Sequence, residues 1–171
     1  MKKLSLILFS FLIFLLLSSP SISSEKIISG KASVIDGDTI KINNKKIRLF
    51  GIDAPEKKQM CKKKYISFLI FNFQKDYKCG EKSTLVLMKK LKDKKIECIL
   101  QNNKDRYKRY IGTCYIENQD INGWLVKNGH AIAYKKYSKK YVLYEEYAKK
   151  NKLGLWQGDF VEPEKWRRIM N

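Results

Sequence analysis

The spacing of apolar and polar positions changes character along the chain. Lys2 and Lys3 precede an apolar run, Leu4 to Leu17, fourteen residues with only Ser5 and Ser10 interrupting, and a small, polar stretch from Ser18 to Ser24 follows. This reads as a secretory signal peptide over residues 1–23, with Ser21 and Ser23 as the small side chains before cleavage. The run falls short of the roughly 20 apolar residues of a membrane-crossing helix. No cysteine follows it to carry a lipid, and an uncleaved anchor is the competing reading. From residue 30 the pattern turns to strand. GKASVID (30–36) reaches a D-G-D turn, and TIKIN (39–43) and KIRLFGI (46–52) flank Asn43, Asn44 and Lys45 as a hairpin. Residues 81–92 place Leu85, Met88 and Leu91 at helical spacing, and KIECILQ (95–101) and YIGTCYIE (110–117) return to strand around the basic loop NNKDRYKR. A short helix is expected over 122–128 and a longer one over 138–153, with Ser138 as N-cap and Gly154 just past its end. Short strands with helices at the ends predict an α+β, mainly β fold, an OB-like barrel capped by helices.

Composition narrows the function. A chain of 171 residues suits one domain, here 24–171 with a tail from about 157, and 44% apolar residues exclude a disordered basic tail. One histidine excludes mechanisms with two imidazoles and metal sites built on several histidines. Lys and Arg number 36 against 17 Asp and Glu, a net charge of +19 that predicts a polyanionic partner unless it reflects lysine-rich composition alone. Only five of the basic residues are arginines: Arg48, Arg106, Arg109, Arg167 and Arg168. In an exported protein the four cysteines predict two disulfides. Sequential pairing, Cys61 with Cys79 and Cys98 with Cys114, is the economical choice, each bridge contributing about 3 kcal/mol in the chain-entropy model.

Candidate chemistry lies in VIDGDT and RLFGIDAPE. If the hairpin turns at 44–45, Asp38 lies opposite residue 51 and shares one end of the sheet with Asp53. Asp36 stands next door, and the Ala54 carbonyl is available. An all-oxygen set suits a hard cation, Ca²⁺ or Mg²⁺. It is no EF-hand, because the twelfth residue from Asp36 is Ile47.

VIDGDTIKI, RLFGIDAPE, DRYKR, NGHAIAY and a helix ending in KLGLW, in this order, resemble the thermonuclease family typified by staphylococcal nuclease, over about residues 30–156. The resemblance implies a five-stranded OB-fold barrel capped by about three helices, Ca²⁺ as cofactor, and hydrolysis of DNA and RNA to 3′-phosphate ends. It implies Asp38, Asp53 and the Ala54 carbonyl as metal ligands, and Arg48, Glu56 and Arg109 as catalytic residues. These roles fit the chemistry, since water attacking a phosphodiester adds negative charge that two arginines are suited to hold. Glu56 is the candidate base, or the residue that orients the water. Lys104, Arg106, Tyr107 and Tyr134 are candidate substrate contacts, the two tyrosines by stacking on a base or else as core residues. His130 reads as structural. The chain departs from the family at Lys108, where a glycine is usual, and over KKKYISFLIFNFQKDYK (62–78).

The expected partners are DNA and RNA, preferentially single-stranded, for a secreted or periplasmic monomer. The alternative is a non-catalytic OB-type binder, and a membrane-active protein would need an amphipathic segment, for which only 62–78 is a candidate. That segment is expected to be a helix packed on the barrel, or otherwise an exposed apolar loop. The tail is expected to dock through Phe160 and Trp166 and to say little about activity.

Overall fold

The computed structural model describes residues 25–68 and 71–170; the expected signal peptide lies outside them. The chain opens with β1 (Lys26–Gly30) and β2 (Ala32–Asp36), two halves of one strand bent at Gly30, whose φ of +154° suits glycine alone. β3 (Thr39–Ile42) and β4 (Lys45–Leu49) form the expected hairpin, and β8 (Ile96–Lys104) and β9 (Tyr110–Ile116) form another. β1 pairs with β8 while β2 pairs with β3, and β4 runs parallel to β9, so the bent strand closes a five-stranded barrel of OB type. Alternate residues point inward: Ile40, Ile42, Ile47 and Leu49 from the first hairpin, Ile96, Cys98 and Leu100 from β8, Cys114 and Ile116 from β9. β5 (Ile52–Asp53) pairs with β11 (Ile132–Ala133), and the two-residue β10 (Gln119–Asp120) pairs with β9.

The hairpin turns at Asn43–Asn44, one residue earlier than expected, so Asp38 faces Leu49 and not residue 51; the Leu49 amide donates to the Asp38 carbonyl at 2.8 Å. Both asparagines take positive φ, 48° and 61°, as a two-residue primed turn requires, whereas Lys45 pairs as strand with Ile42. The earlier turn moves each partner by two residues and therefore preserves which face each side chain occupies.

Among the described residues four helices and a 3₁₀ turn cap the barrel. In α1 (Cys79–Leu91) the buried face is Ser83, Thr84, Leu87 and Leu91; Leu85 and Met88, expected on the apolar face, are exposed. The cause is close approach to the D-G-D turn: a Cβ on Gly37 would come within 3.1 Å of the Ser83 Cβ, so small residues must face inward there. α2 (Ile121–Lys127) is capped by Asp120, which accepts from the Gly123 amide at 2.9 Å. α3 (Val142–Lys150) starts four residues past the expected cap; Ser138 instead accepts from the Lys140 amide in a turn. The 3₁₀ turn spans Gly154–Gln157, and α4 (Pro163–Met170) ends the described chain. Among the described residues no helix is long and apolar enough to cross a membrane.

Both disulfides pair as expected. Cys98 and Cys114 stand directly opposite each other on β8 and β9, with Cα atoms 4.0 Å apart. The other, Cys61–Cys79, explains a correction: the segment 62–78 is not a helix but a two-stranded ribbon, β6 (Met60–Phe68) with β7 (Phe71–Lys78). A helix over those residues would hold its ends roughly 25 Å apart, while the bridge brings the flanking Cα atoms to 5.6 Å. Tyr65 and Phe73 on this ribbon are exposed.

Candidate active site

The site forms where the D-G-D turn, the end of β4 and the segment after β5 meet. The Asp36 carboxylate accepts from the Asp38 amide at 3.0 Å, which sets the turn. Asp38 is then 3% exposed and Asp53 fully buried. Between them reaches Arg48, one η-nitrogen on Asp38 and the other 2.7 Å from Asp53 Oδ1. The second oxygen of Asp38 accepts from the Ala54 amide at 2.9 Å.

Arg109 enters from the loop between β8 and β9. Asp105 organises that loop, accepting from the Tyr107 and Arg109 amides at 2.9 Å each and from Arg109 Nε at 2.7 Å. The turn puts Lys108 at φ +61°, the left-handed conformation that the family's glycine suits better. Arg109 Nη1 is thereby brought 3.0 Å from the Thr39 hydroxyl, which itself donates to Asp38 at 3.2 Å. Thr39 thus joins the two arginines on one edge of the carboxylate pair.

Glu56 follows Pro55 in a turn held by Gln59, whose side chain accepts from the Glu56 amide at 3.2 Å and whose own amide donates to the Glu56 carbonyl at 2.7 Å. Gly80 backs this turn so closely that a Cβ there would lie 1.7 Å from the Glu56 carbonyl oxygen. The tail, expected to be uninformative, supplies a third arginine. Arg167 on α4 lies 2.9 Å from Asp53 Oδ2 and 2.7 Å from Glu56 Oε1. Phe160 does dock as expected, edge-on to Trp156 at 4.9 Å, and Trp166 is partly buried.

The other expected contacts divide. Tyr107 is 63% exposed, so it is no core residue; Arg106 and Arg109 lie 4.8 and 5.4 Å from its ring. Tyr134 is partly buried beside the site, and its hydroxyl is pushed up to about 12 by burial, then by Asp53 and Glu164. The Lys104 ammonium lies over Tyr110, 4.3 Å from its ring centre, where Lys26 also sits at 5.3 Å.

Burial, and then the neighbouring Asp38, push the Asp36 carboxyl up to about 6. Burial likewise raises Asp53, against the opposing effect of Arg167 and Arg48. His130 lies outside this cluster near Trp124, and burial followed by the Lys82 charge holds it down to about 4. The unfolded chain then takes up a proton as pH falls from 6.5 while the folded one does not. The contribution of His130 to stability is full above 6.5 and falls by about 3 kcal/mol on reaching pH 4, while Asp36, raised to about 6, contributes in the opposite direction over the same window. His130→Gln should shift a urea-unfolding pH profile so that stability falls less, or rises, between pH 6.5 and 4; an unchanged profile would remove His130 from that dependence.

Gln59, Thr39 and Arg167 carried no sequence signal of their own. Gln59 sits among lysines, Thr39 reads as a strand residue, and Arg167 meets its partners across 111 and 114 residues.

Residues 46–158 match the family described as "Staphylococcal nuclease homologue". The chain is 34% identical over 145 residues to the "Succinoglycan biosynthesis protein ExoI" of Rhizobium meliloti, covering 84% of this chain and 71% of that protein. It is also 34% identical over 165 residues to an "Uncharacterized endonuclease" of Haemophilus influenzae, covering 92% of this chain and 81% of the relative. A "Probable staphylococcal-like nuclease CAN2" of Oryza sativa subsp. japonica matches at 31% over 156 residues, 90% of this chain but 36% of that longer protein. With a closed barrel behind two arginines and two buried carboxylates, and with these likenesses, the chain belongs to the staphylococcal nuclease family of metal-dependent enzymes and is a nuclease, a hydrolase of phosphodiester bonds.

Proposed function

We propose that this nuclease is exported, depends on Ca²⁺, and hydrolyses both DNA and RNA, preferentially single-stranded, to 3′-phosphate ends as a monomer. The observation that carries the reading is the Arg48–Asp38–Thr39–Arg109 chain of contacts beside Asp53. A protein that bound nucleic acid by charge alone would have no use for buried acids among its arginines. Two disulfides support an oxidising compartment.

The donor chemistry fits a hard cation. Asp38 and Asp53 are buried carboxylates that already attract cationic groups, the guanidiniums of Arg48 and Arg167. Among the described residues no three His, Cys, Asp or Glu side chains are arranged to hold a metal ion, so the shell we propose is Asp38, Asp53, the Ala54 carbonyl and water. When bound, Ca²⁺ supplies charge neutralisation at the phosphate. Arg48 and Arg109 donate to the phosphoryl oxygens as charge builds on them, and their planar forks suit two oxygens at once. Glu56 accepts a proton from the attacking water or orients it. Water oxygen bonds to phosphorus, the bond to the 5′-oxygen breaks, and that oxygen takes a proton on leaving. Tyr107, ringed by Arg106 and Arg109, is an exposed platform on which a base can stack. Arg106, Lys104 and Tyr134 are the further proposed contacts, the first two through backbone charge.

The test is incubation of residues 24–171 with single-stranded DNA and RNA in Ca²⁺ or in chelator. Cleavage of both only with Ca²⁺ is expected. Binding without Ca²⁺-dependent cleavage would overturn the reading in favour of a non-catalytic module.

A further inference from the structure

The tail helix α4 reaches the carboxylates of Asp53 and Glu56 through a single side chain. Arg167 places both η-nitrogens 3.1 Å from Asp53 Oδ1, one of them also 2.9 Å from Oδ2, and the other 2.7 Å from Glu56 Oε1. With Arg48 on the same Oδ1, every oxygen of Asp53 faces a guanidinium. Asp38 is equally occupied, by Arg48, Thr39 and the Ala54 amide. In this state each oxygen of Asp38 and Asp53 already accepts from one of the chain's own donors.

A divalent ion needs a carboxylate lone pair at about 2.3–2.6 Å. It cannot take Asp53 while a guanidinium bonds both oxygens, and the two cations repel. Entry of the ion and departure of Arg167 are therefore one exchange. The helix is built to allow it. Only Pro163 of α4 is buried, and Ile169 and Met170 are exposed. The firm attachments precede the helix: Gln59 Nε2 donates to the Val161 carbonyl at 2.6 Å, and the Lys62 amide to the Asp159 carbonyl at 2.8 Å. From the helix itself Glu164 meets Tyr134 and, at 3.6 Å, Lys136, both near the surface where such contacts hold weakly; its 2.6 Å pair with Arg168 lies within the helix. Such an element can lift while its root stays fixed.

We infer that Arg167 is a positioning residue that occupies the cation site as a resident charge, holding Asp53 and Glu56 in place until a divalent ion displaces it and α4 swings away. The inference rests on the proposed Ca²⁺ dependence. It makes the tail a lock on the site, since apparent ion affinity is reduced by the fraction of molecules in which Arg167 is seated.

The experiment is calorimetric titration of CaCl₂ alone into metal-free protein, wild type against Arg167→Ala and Arg167→Lys. Arg167→Ala is expected to bind Ca²⁺ at least about tenfold tighter, with Arg167→Lys between, because an ammonium keeps the charge and loses the fork. Equal or weaker binding by Arg167→Ala overturns the lock and leaves the Ca²⁺ reading intact. Absence of binding by all three proteins overturns both. Should Arg167→Ala fail to fold, amide hydrogen exchange of the wild type decides: faster exchange over residues 163–170 on adding Ca²⁺ supports the lock, and unchanged exchange overturns it.

Discussion

Arg48→Ala is expected to destabilise the metal-free protein by about 3–5 kcal/mol at pH 7, the largest loss from any single change at the site. The guanidinium bridges Asp38 and Asp53, which are almost wholly removed from solvent, so its loss leaves Asp38 with no cationic partner and Asp53 with Arg167 alone. Burial raises Asp53 even with its arginines present. Without Arg48 the folded pKa rises further above the unfolded one, so the folded state binds the proton more tightly. Lowering the pH should then recover part of the lost stability, a change opposite in sign to the contribution of His130. Urea unfolding in chelator at pH 5 and 7 measures both effects. Ca²⁺ should also restore stability, since it replaces the missing charge, and Arg48→Lys should fall between. A loss below about 1 kcal/mol would mean that the carboxylates relax into water on their own.

Glu56→Gln is expected to lower kcat by about 10²–10³-fold with nucleic-acid binding retained. The amide keeps the size of the carboxylate but takes no proton. Stability should barely change, because Glu56 is only partly buried and its side chain has one ionic partner, Arg167 at 2.7 Å. Single-turnover cleavage with excess enzyme, beside filter binding of the same oligonucleotide, separates the two effects. Unchanged turnover would remove Glu56 from the mechanism and leave Arg48 and Arg109 to act on an unassisted water.

What was legible in the sequence follows the distance over which each contact acts. The Asp38, Arg48 and Asp53 grouping lies within one hairpin and its exit, so a small error in the turn moved the partners without changing the face. Arg109 was reachable because Asp105, four residues away, holds it in a local turn. The ribbon at 60–78 was misjudged because an apolar, aromatic run fits either helix or strand by periodicity. The pairing of Cys61 with Cys79 already excluded the helix geometrically. The buried face of α1 depends on how closely the D-G-D turn approaches Ser83, a matter of shape that hydropathy does not carry. Arg167 lay hidden for a different reason: a basic residue beside another in a lysine-rich chain has nothing to mark it until the fold sets it on Asp53.

The parallel pairing of β4 with β9 also governs when the proposed site becomes complete. Arg109 meets Thr39 across 70 residues, through the strand pair that joins the barrel's two hairpins. Contacts so distant in sequence form only once the cost of closing the intervening chain has been met. A chain that has not yet folded carries Asp38, Arg48, Asp53 and Glu56 without Arg109 beside them. Assembly of the proposed site therefore coincides with closure of the barrel, and an unfolded chain holds only one side of it.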